Sequence, residues 1–272
     1  MNTKIKLIAL DLDGTTYVNL GYPVEENIKP INEAINKGIK VIFVTGRPVH
    51  SRQNSFKSFN FKQKETLVVG FNGGLIYDIY NNKTIKCSTV PKKLVEEAFL
   101  IAKKYKEAEL WAYADDLKKS YINIDINSAK YLHQEHAFFE EELVVVDHKT
   151  TLSDCFKLIM YNPSKEIVEE FKNIGLEVAW YPGGIAAEIN SKGVNKAYAL
   201  EFLSNYYLIS PNEMLAMGDG ANDIPMLCYA GLSIAPKNAN DVVKKNAKEI
   251  SYYTNLEGAV AKAIYSYVLK GE

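Results

Sequence analysis

Short apolar runs separated by amphipathic stretches shape the first eighty residues. IKLIAL, residues 5–10, breaks off at Asp11, and its length and abrupt stop predict a buried strand. Val24, Ile28, Ile31 and Ile35 recur at spacings of three and four, which predicts a helix over 24–37. Pro30 inside that pattern predicts a kink or a late start, and Gly38 the stop. KVIFVTGR (40–47) reads as a second buried strand entering a polar turn, and the stretch after Pro48 as a polar helix or loop. TLVVGFNGG (66–74) reads as a third strand ending in a Gly-rich turn. Strands alternating with helices in this way predict a parallel sheet covered on both faces.

The texture changes between about residue 82 and about residue 188. Two amphipathic helices are expected, over 94–105 and over 164–175, the second stopped by Gly175. ELWAYAD, KSYINID, ELVVVD and CFKLIMY read as half-buried strands, and LEVAWYP with IAAEIN as a hairpin about Gly183 and Gly184. After Ser191 the first texture returns, closing on LEGAVAKAIYSYVL, a helix with Leu256, Val260, Ile264, Tyr267 and Val268 on one face. The expected fold class is therefore α/β: a doubly wound, mostly parallel, Rossmann-like core carrying an inserted α+β domain. Residues 1–82 and 189–272 are assigned to the core and 83–188 to the insert.

Composition narrows the partners. Of 272 residues, 47% are hydrophobic and 24% charged, and 32 basic against 33 acidic residues leave a net charge of -1. With no field of one sign, a nucleic-acid partner is not expected. Cys87, Cys155 and Cys228 are odd in number and far apart, as expected for reduced thiols in a cytoplasmic protein. The apolar run after Lys4 and Lys6 is too short for a signal-peptide core, and no later run suggests a membrane span. Neither a GxGxxG pattern after the first strand nor a GxxxxGK loop is present, so dinucleotide and nucleoside-triphosphate sites have no support.

Four strand ends carry polar clusters: Asp11 and Asp13; Thr45, Gly46 and Arg47; Asn72, Gly73 and Gly74; Asp219, Gly220, Asn222 and Asp223. In a parallel sheet all four converge on the edge where ligands bind. If residues 11–13 stay extended, Asp11 and Asp13 leave on the same side. Carboxylates gathered there repel one another, and a hard divalent cation such as Mg2+ offsets them with an oxygen-only ligand set.

DLDGT, the threonine of VTGR, the lysine of GVNK and GDGANDIPML together resemble the haloacid dehalogenase superfamily of phosphohydrolases. FNGG, AGLSIAPKNANDVVK and LEGAVAKAI narrow the resemblance to its Cof-type branch with a type IIB cap. The resemblance implies a magnesium-dependent phosphatase for small phosphorylated metabolites, with sugar phosphates leading and flavin- or pyridoxal-type phosphates also open. It implies Asp11 as nucleophile and metal ligand. Asp13 would be the general acid and then base, with its carbonyl on the metal; a dehalogenating relative would not need that acid. Asp219 would ligate the metal, and Asp223 would do so directly or through water. Phosphate contacts would come from Asp11, Leu12, Thr45, Gly46, Asn72, Lys196 and Asn222. Lys196 fits the family lysine better than Lys192, although Ala197 stands where the family usually has glycine. Arg47 is left as a contact to a phosphate or a carboxylate, or as a structural tie, Thr15 as a support of its turn, and Glu188 as a linker or mouth residue. The rivals are a phosphosugar mutase and a non-catalytic phosphometabolite-binding regulator.

In the insert, Trp111, Tyr113, Trp180 and Tyr181 with Asp115, Asp116 and Lys118 are candidates for choosing the substrate. The plainer expectation, and the favoured one, is that both tryptophans pack the insert's sheet against its helices. His133 and His136 have metal-compatible spacing but no third ligand, so a solvated helix face is expected, as for Glu140, Glu141 and Glu142. The expected partner is a small phosphorylated molecule, for a monomer or homodimer.

Overall fold

A computed structural model describes residues 4–18, 21–49, 56–61, 65–136 and 142–269. Strand β1 (Leu7–Leu10) is buried on both faces, as a central parallel strand must be. It lies between β2 (Lys40–Phe43) and β12 (Met214–Met217), with β13 (Leu232–Ala235) and β14 (Glu249–Ile250) beyond β12, all parallel. Ile8 and Leu10 point into one hydrophobic layer with Ile31, Ile35, Val260 and Ile264 from α1 (Glu25–Asn36) and α8 (Ala259–Ile264). Leu7 and Ala9 point into the other, with Leu200 and Leu203 of α5 (Lys196–Tyr207), Leu227 of α6 (Ile224–Tyr229) and Val243 of α7 (Asp241–Lys244). The core is thus doubly wound, as its sequence pattern implied.

β3 (Leu67–Gly70) joins β2 through a parallel bridge between Val44 and Val69. It then turns antiparallel into β4 (Leu75–Asp78) and β5 (Lys83–Cys87), a hairpin that the sequence pattern did not reveal. The second large sheet has the order β10-β11-β9-β6-β7-β8. Its strands are β6 (Glu109–Ala114), β7 (Lys119–Ile122), β8 (Glu142–Val145), β9 (Cys155–Tyr161), β10 (Leu176–Ala179) and β11 (Ala186–Ser191). α2 (Lys92–Ala102) and α4 (Lys165–Asn173) cover one face through Leu110, Ala112, Leu158 and Met160. The opposite face carries Trp111, Tyr113 and Tyr161 and stacks on the core, Phe156 lying 4.9 Å from Phe71 with their rings 7° from parallel. This sheet and its helices are the α+β cap on the parallel core.

Three expectations change. α1 runs unbroken across Pro30 from Glu25, since a single missing donor inside a helix packed on its apolar face is tolerated. Its end is as expected: Gly38 takes φ +80°, and the Gly38 and Ile39 N–H groups return to Ile35 and Ala34. At the C-terminus, Leu256 and Tyr267 are exposed, because Leu256 sits in a separate turn and a π-helical turn follows α8 at Tyr265–Leu269. Trp111 packs with Ile122, Ala129 and Leu132 on the face away from α2 and α4, whereas Trp180 does border the helix side. Residues 50–55 of the stretch after Pro48, and Glu140 and Glu141 of the acidic run, lie outside the described residues.

Candidate active site

The floor of the site is built by chain turns that tolerate no larger residue. Beyond β1, the Leu12 carbonyl accepts the N–H groups of Thr15, Thr16 and Tyr17, which folds the chain back at once. Gly14 sits at φ +75°, and a Cβ there would lie 2.4 Å from Asp219 Oδ2. The Thr15 hydroxyl donates to Asp219 Oδ1 at 2.8 Å, so the first strand end orients a carboxylate from the end of β12. A Cβ at Gly218 would similarly lie 2.3 Å from Asp223 Cγ. Asp223 Oδ2 accepts the N–H groups of Asp219 and Gly220 at 2.9 and 2.8 Å, tying its own turn shut.

α5 supplies the cation. Asn195 caps it, its Oδ1 accepting the N–H groups of Ala197 and Tyr198, which makes Lys196 the first helical residue. A Cβ at Gly73 (φ +103°) would meet the Asn195 carbonyl at 2.5 Å, so the third strand end fixes where α5 starts. Lys196 is fully buried, with Nζ 2.6 Å from Asp11 Oδ1 and 2.5 Å from Asp223 Oδ1. Lys192 is exposed.

Burial, reinforced by the Asp223 charge, pushes the Asp11 carboxyl well above the usual range, with Lys196 opposing. The same two causes lift Asp219 to about 7. Burial disfavours the Lys196 ammonium, but Asp11 and Asp223 outweigh it and hold the group above the ordinary lysine range. Carboxylate oxygens of Asp11, Asp219 and Asp223 all lie within 4.8 Å of one another. This oxygen-only donor set, short of positive charge, fits a hard divalent cation. The Asp13 side chain stands apart from the trio and pairs with the Arg47 guanidinium.

The other strand ends close the wall. Thr45 is buried, its hydroxyl accepting from the Arg47 N–H at 3.2 Å. A Cβ at Gly46 would come within 3.1 Å of Asn72 Oδ1 and 3.2 Å of Glu188 Oε2. Asn72 takes a left-handed φ of 57° and lies behind this wall: it donates to Glu188 and Asn190 and accepts from Asn222 at 3.0 Å. Leu12 buries its side chain in the core, leaving only its backbone for a ligand.

Asp11, Asp13, Thr45, Gly46, Asp219, Asn222 and Asp223 therefore line one cavity of about 370 Å³, with Lys196 just beneath Asp11 and Asn72 outside. The cavity's roof is Tyr113, Glu135, Lys157 and Glu188, of which Tyr113 stood among the sequence candidates for the insert and Glu188 was expected as a linker or mouth residue. Trp180 and Tyr181 line a separate cavity of about 190 Å³. His133 and His136 are exposed on the four-residue α3 (His133–His136), while Glu135 between them turns inward. A lysine inside the otherwise apolar CFKLIMY strand was the available signal for Lys157. No helix among the described residues is long and apolar enough to cross a membrane.

Comparison with known proteins places this geometry. A family model described as haloacid dehalogenase-like hydrolase matches residues 8–264. The 5-amino-6-(5-phospho-D-ribitylamino)uracil phosphatase YcsE of Bacillus subtilis is 33% identical, over 97% of this chain and 96% of the relative. A phosphoglycolate phosphatase of Methanobrevibacter smithii is 29% identical over 97% and 99%. A solved HAD/Cof-like hydrolase from Plasmodium vivax is 28% identical, with a TM-score of 0.78 over 97% of this chain and 95% of that one.

Proposed function

Since the chain belongs to the haloacid dehalogenase-like hydrolase family and is a phosphoric monoester hydrolase, we propose that it releases phosphate from small phosphorylated metabolites through an aspartyl-phosphate intermediate. In this reading residues 1–82 and 189–272 form the catalytic core and 83–188 the cap, with two strands crossing those bounds: β5 (Lys83–Cys87) pairs with β4 on the core side, and β11 continues to Ser191 in the cap sheet. Asp11 attacks phosphorus, the ester P–O bond breaks, and Asp13 delivers a proton to the departing oxygen. Asp13 then takes a proton from water as the water attacks the same phosphorus, freeing phosphate and Asp11. Lys196 favours the ionised form of Asp11 against burial and the Asp223 charge, and offsets charge on the transferring group. Thr45 and Asn222, with the backbone of Leu12 and Gly46, hold phosphate oxygens.

Asp11, Asp219 and Asp223, with the Asp13 carbonyl, would hold Mg2+. When bound, the ion supplies charge neutralisation for the phosphoryl oxygens. Excluding water from the cavity falls to the cap.

Sugar and polyol phosphates are the substrate class we favour. The Bacillus subtilis relative's substrate carries its phosphate on a ribityl chain, and the cavity roof is polar rather than aromatic-walled. The observation that carries the reading is a buried Asp11 clamped by Lys196 at 2.6 Å, facing the cavity that also holds Asp13. Phosphate release from p-nitrophenyl phosphate with Mg2+ should be abolished in Asp11→Asn. A variant turning over at the wild-type rate removes Asp11 as nucleophile.

A further inference from the structure

The roof of the cavity contains charged groups for which the phosphoryl chemistry has no use. Glu135 is 7% exposed, and each of its oxygens accepts a tyrosine hydroxyl, from Tyr113 and, at 2.8 Å, from Tyr161. The loop leading into α3 is pinned from below. The buried Glu109 accepts the N–H groups of Lys130, Tyr131 and Leu132 at 2.6, 2.7 and 3.0 Å. Beside it Lys157, 3% exposed, places Nζ 2.7 Å from Glu188 Oε2, which also accepts from Asn72.

These tethers fix Glu135 without neutralising it. Among the described residues no lysine, arginine or histidine forms an ion pair with it. A carboxylate offers about four acceptor positions, and two hydroxyls fill half of them. The remaining capacity belongs to a group that borders the same cavity as Asp11 and Asp13. Hydroxyl donors meet it well, and Lys157 alongside can donate to their oxygens. A leaving group with a second phosphate or a carboxylate would instead meet Glu135 and Glu188 together.

We infer that Glu135 is the specificity-determining residue for the leaving group. It accepts hydrogen bonds from the hydroxyls of an otherwise uncharged polyol or sugar chain and disfavours leaving groups with a second anion. Tyr161 and Glu109 are positioning residues that act through it. The inference rests on the phosphatase reading above.

The test compares kcat/KM for D-sorbitol 6-phosphate and D-ribose 5-phosphate with that for p-nitrophenyl phosphate, which has no hydroxyl chain. In Glu135→Gln the polyol-to-aryl ratio should fall ~10-fold or more, mostly through KM, because a site built to accept hydroxyls loses its discrimination when the acceptor is altered. Tyr161→Phe should move the ratio the same way by ~3-fold, and the KM for fructose 1,6-bisphosphate should drop in Glu135→Gln. An unchanged ratio, or parallel loss on every substrate, overturns the assignment. Wild-type enzyme that cleaves the aryl ester but no sugar or polyol phosphate overturns this inference alone. Wild-type enzyme that cleaves none of them with Mg2+ present overturns the phosphatase reading beneath it.

Discussion

Divalent-cation binding should depend steeply on pH, with a size that follows from the site. The carboxylates of Asp11, Asp219 and Asp223 crowd within 4.8 Å, and burial with mutual repulsion lifts Asp219 to about 7 and Asp11 in the same direction. A cation that needs Asp219 ionised must displace its proton. At ~pH 5.5 that carboxyl is ~97% protonated and at ~pH 8 it is ~90% ionised, so affinity should be ~30-fold weaker at the lower pH. This corresponds to about 2 kcal/mol, and Asp11 adds to it. With the ion removed, the folded state holds these protons more tightly than the unfolded chain. Their stabilisation is complete below the unfolded value of 3.8 and is lost as pH rises through about 7. Chelated protein should therefore melt lower at ~pH 8 than at ~pH 5.5 on account of these groups, and Mg2+ should restore more at the higher pH. Calorimetric titration of Mg2+ in buffers of differing ionisation enthalpy reads affinity and proton release together. Equal affinity at both pH values, with no protons released, would refute the account of the carboxylate trio.

Asp13→Asn should bind Mg2+ with unchanged stoichiometry but lose ~100-fold or more in kcat, measured by phosphate release at saturating substrate. Lys196→Met leaves Asp11 and Asp223 buried without their cation. It should cost about 3–5 kcal/mol in denaturant unfolding at ~pH 8, with partial recovery on acidification as the carboxyls protonate. Gly14→Ala puts a Cβ against Asp219 at a left-handed φ, so it should cost about 1–3 kcal/mol and weaken Mg2+ binding in the same titration.

The floor of the site was legible because its chemistry is local. DLDGT, VTGR and GDGAND each end an apolar run, and a parallel sheet has only one edge on which such ends can meet. Lys196 was separable from Lys192 because it opens a helix, and the structure buries it while leaving Lys192 exposed. The other half of the roof, Glu135 and Lys157, was illegible for the opposite reason. Glu135 lies in a polar stretch whose neighbours His133 and His136 are exposed, so nothing periodic marks it as inward-facing. Lys157 acquires meaning only when β9 pairs with β11 and brings Glu188 to it, a contact 31 positions along the chain. Asn72 was legible as a turn, but not its orientation: its left-handed backbone aims the amide at Asn222 and Glu188, behind the cavity wall.

Floor and roof share one electrostatic logic. Asp11, Asp13, Glu135, Glu188, Asp219 and Asp223 border the cavity, against Arg47, Lys157 and the Lys196 beneath Asp11. Each of these cations already serves a carboxylate: Arg47 on Asp13, Lys157 on Glu188, Lys196 on Asp11 and Asp223. Among the described residues none is left over to draw in a phosphate, so these groups by themselves repel an entering dianion. A divalent ion on the trio would cancel the surplus that Asp11, Asp13, Asp219 and Asp223 hold over Arg47 and Lys196, and would set a cation at the floor only, where phosphorus must sit. The roof keeps its negative surplus, so the same cavity can attract a phosphate below while turning away a second anion above.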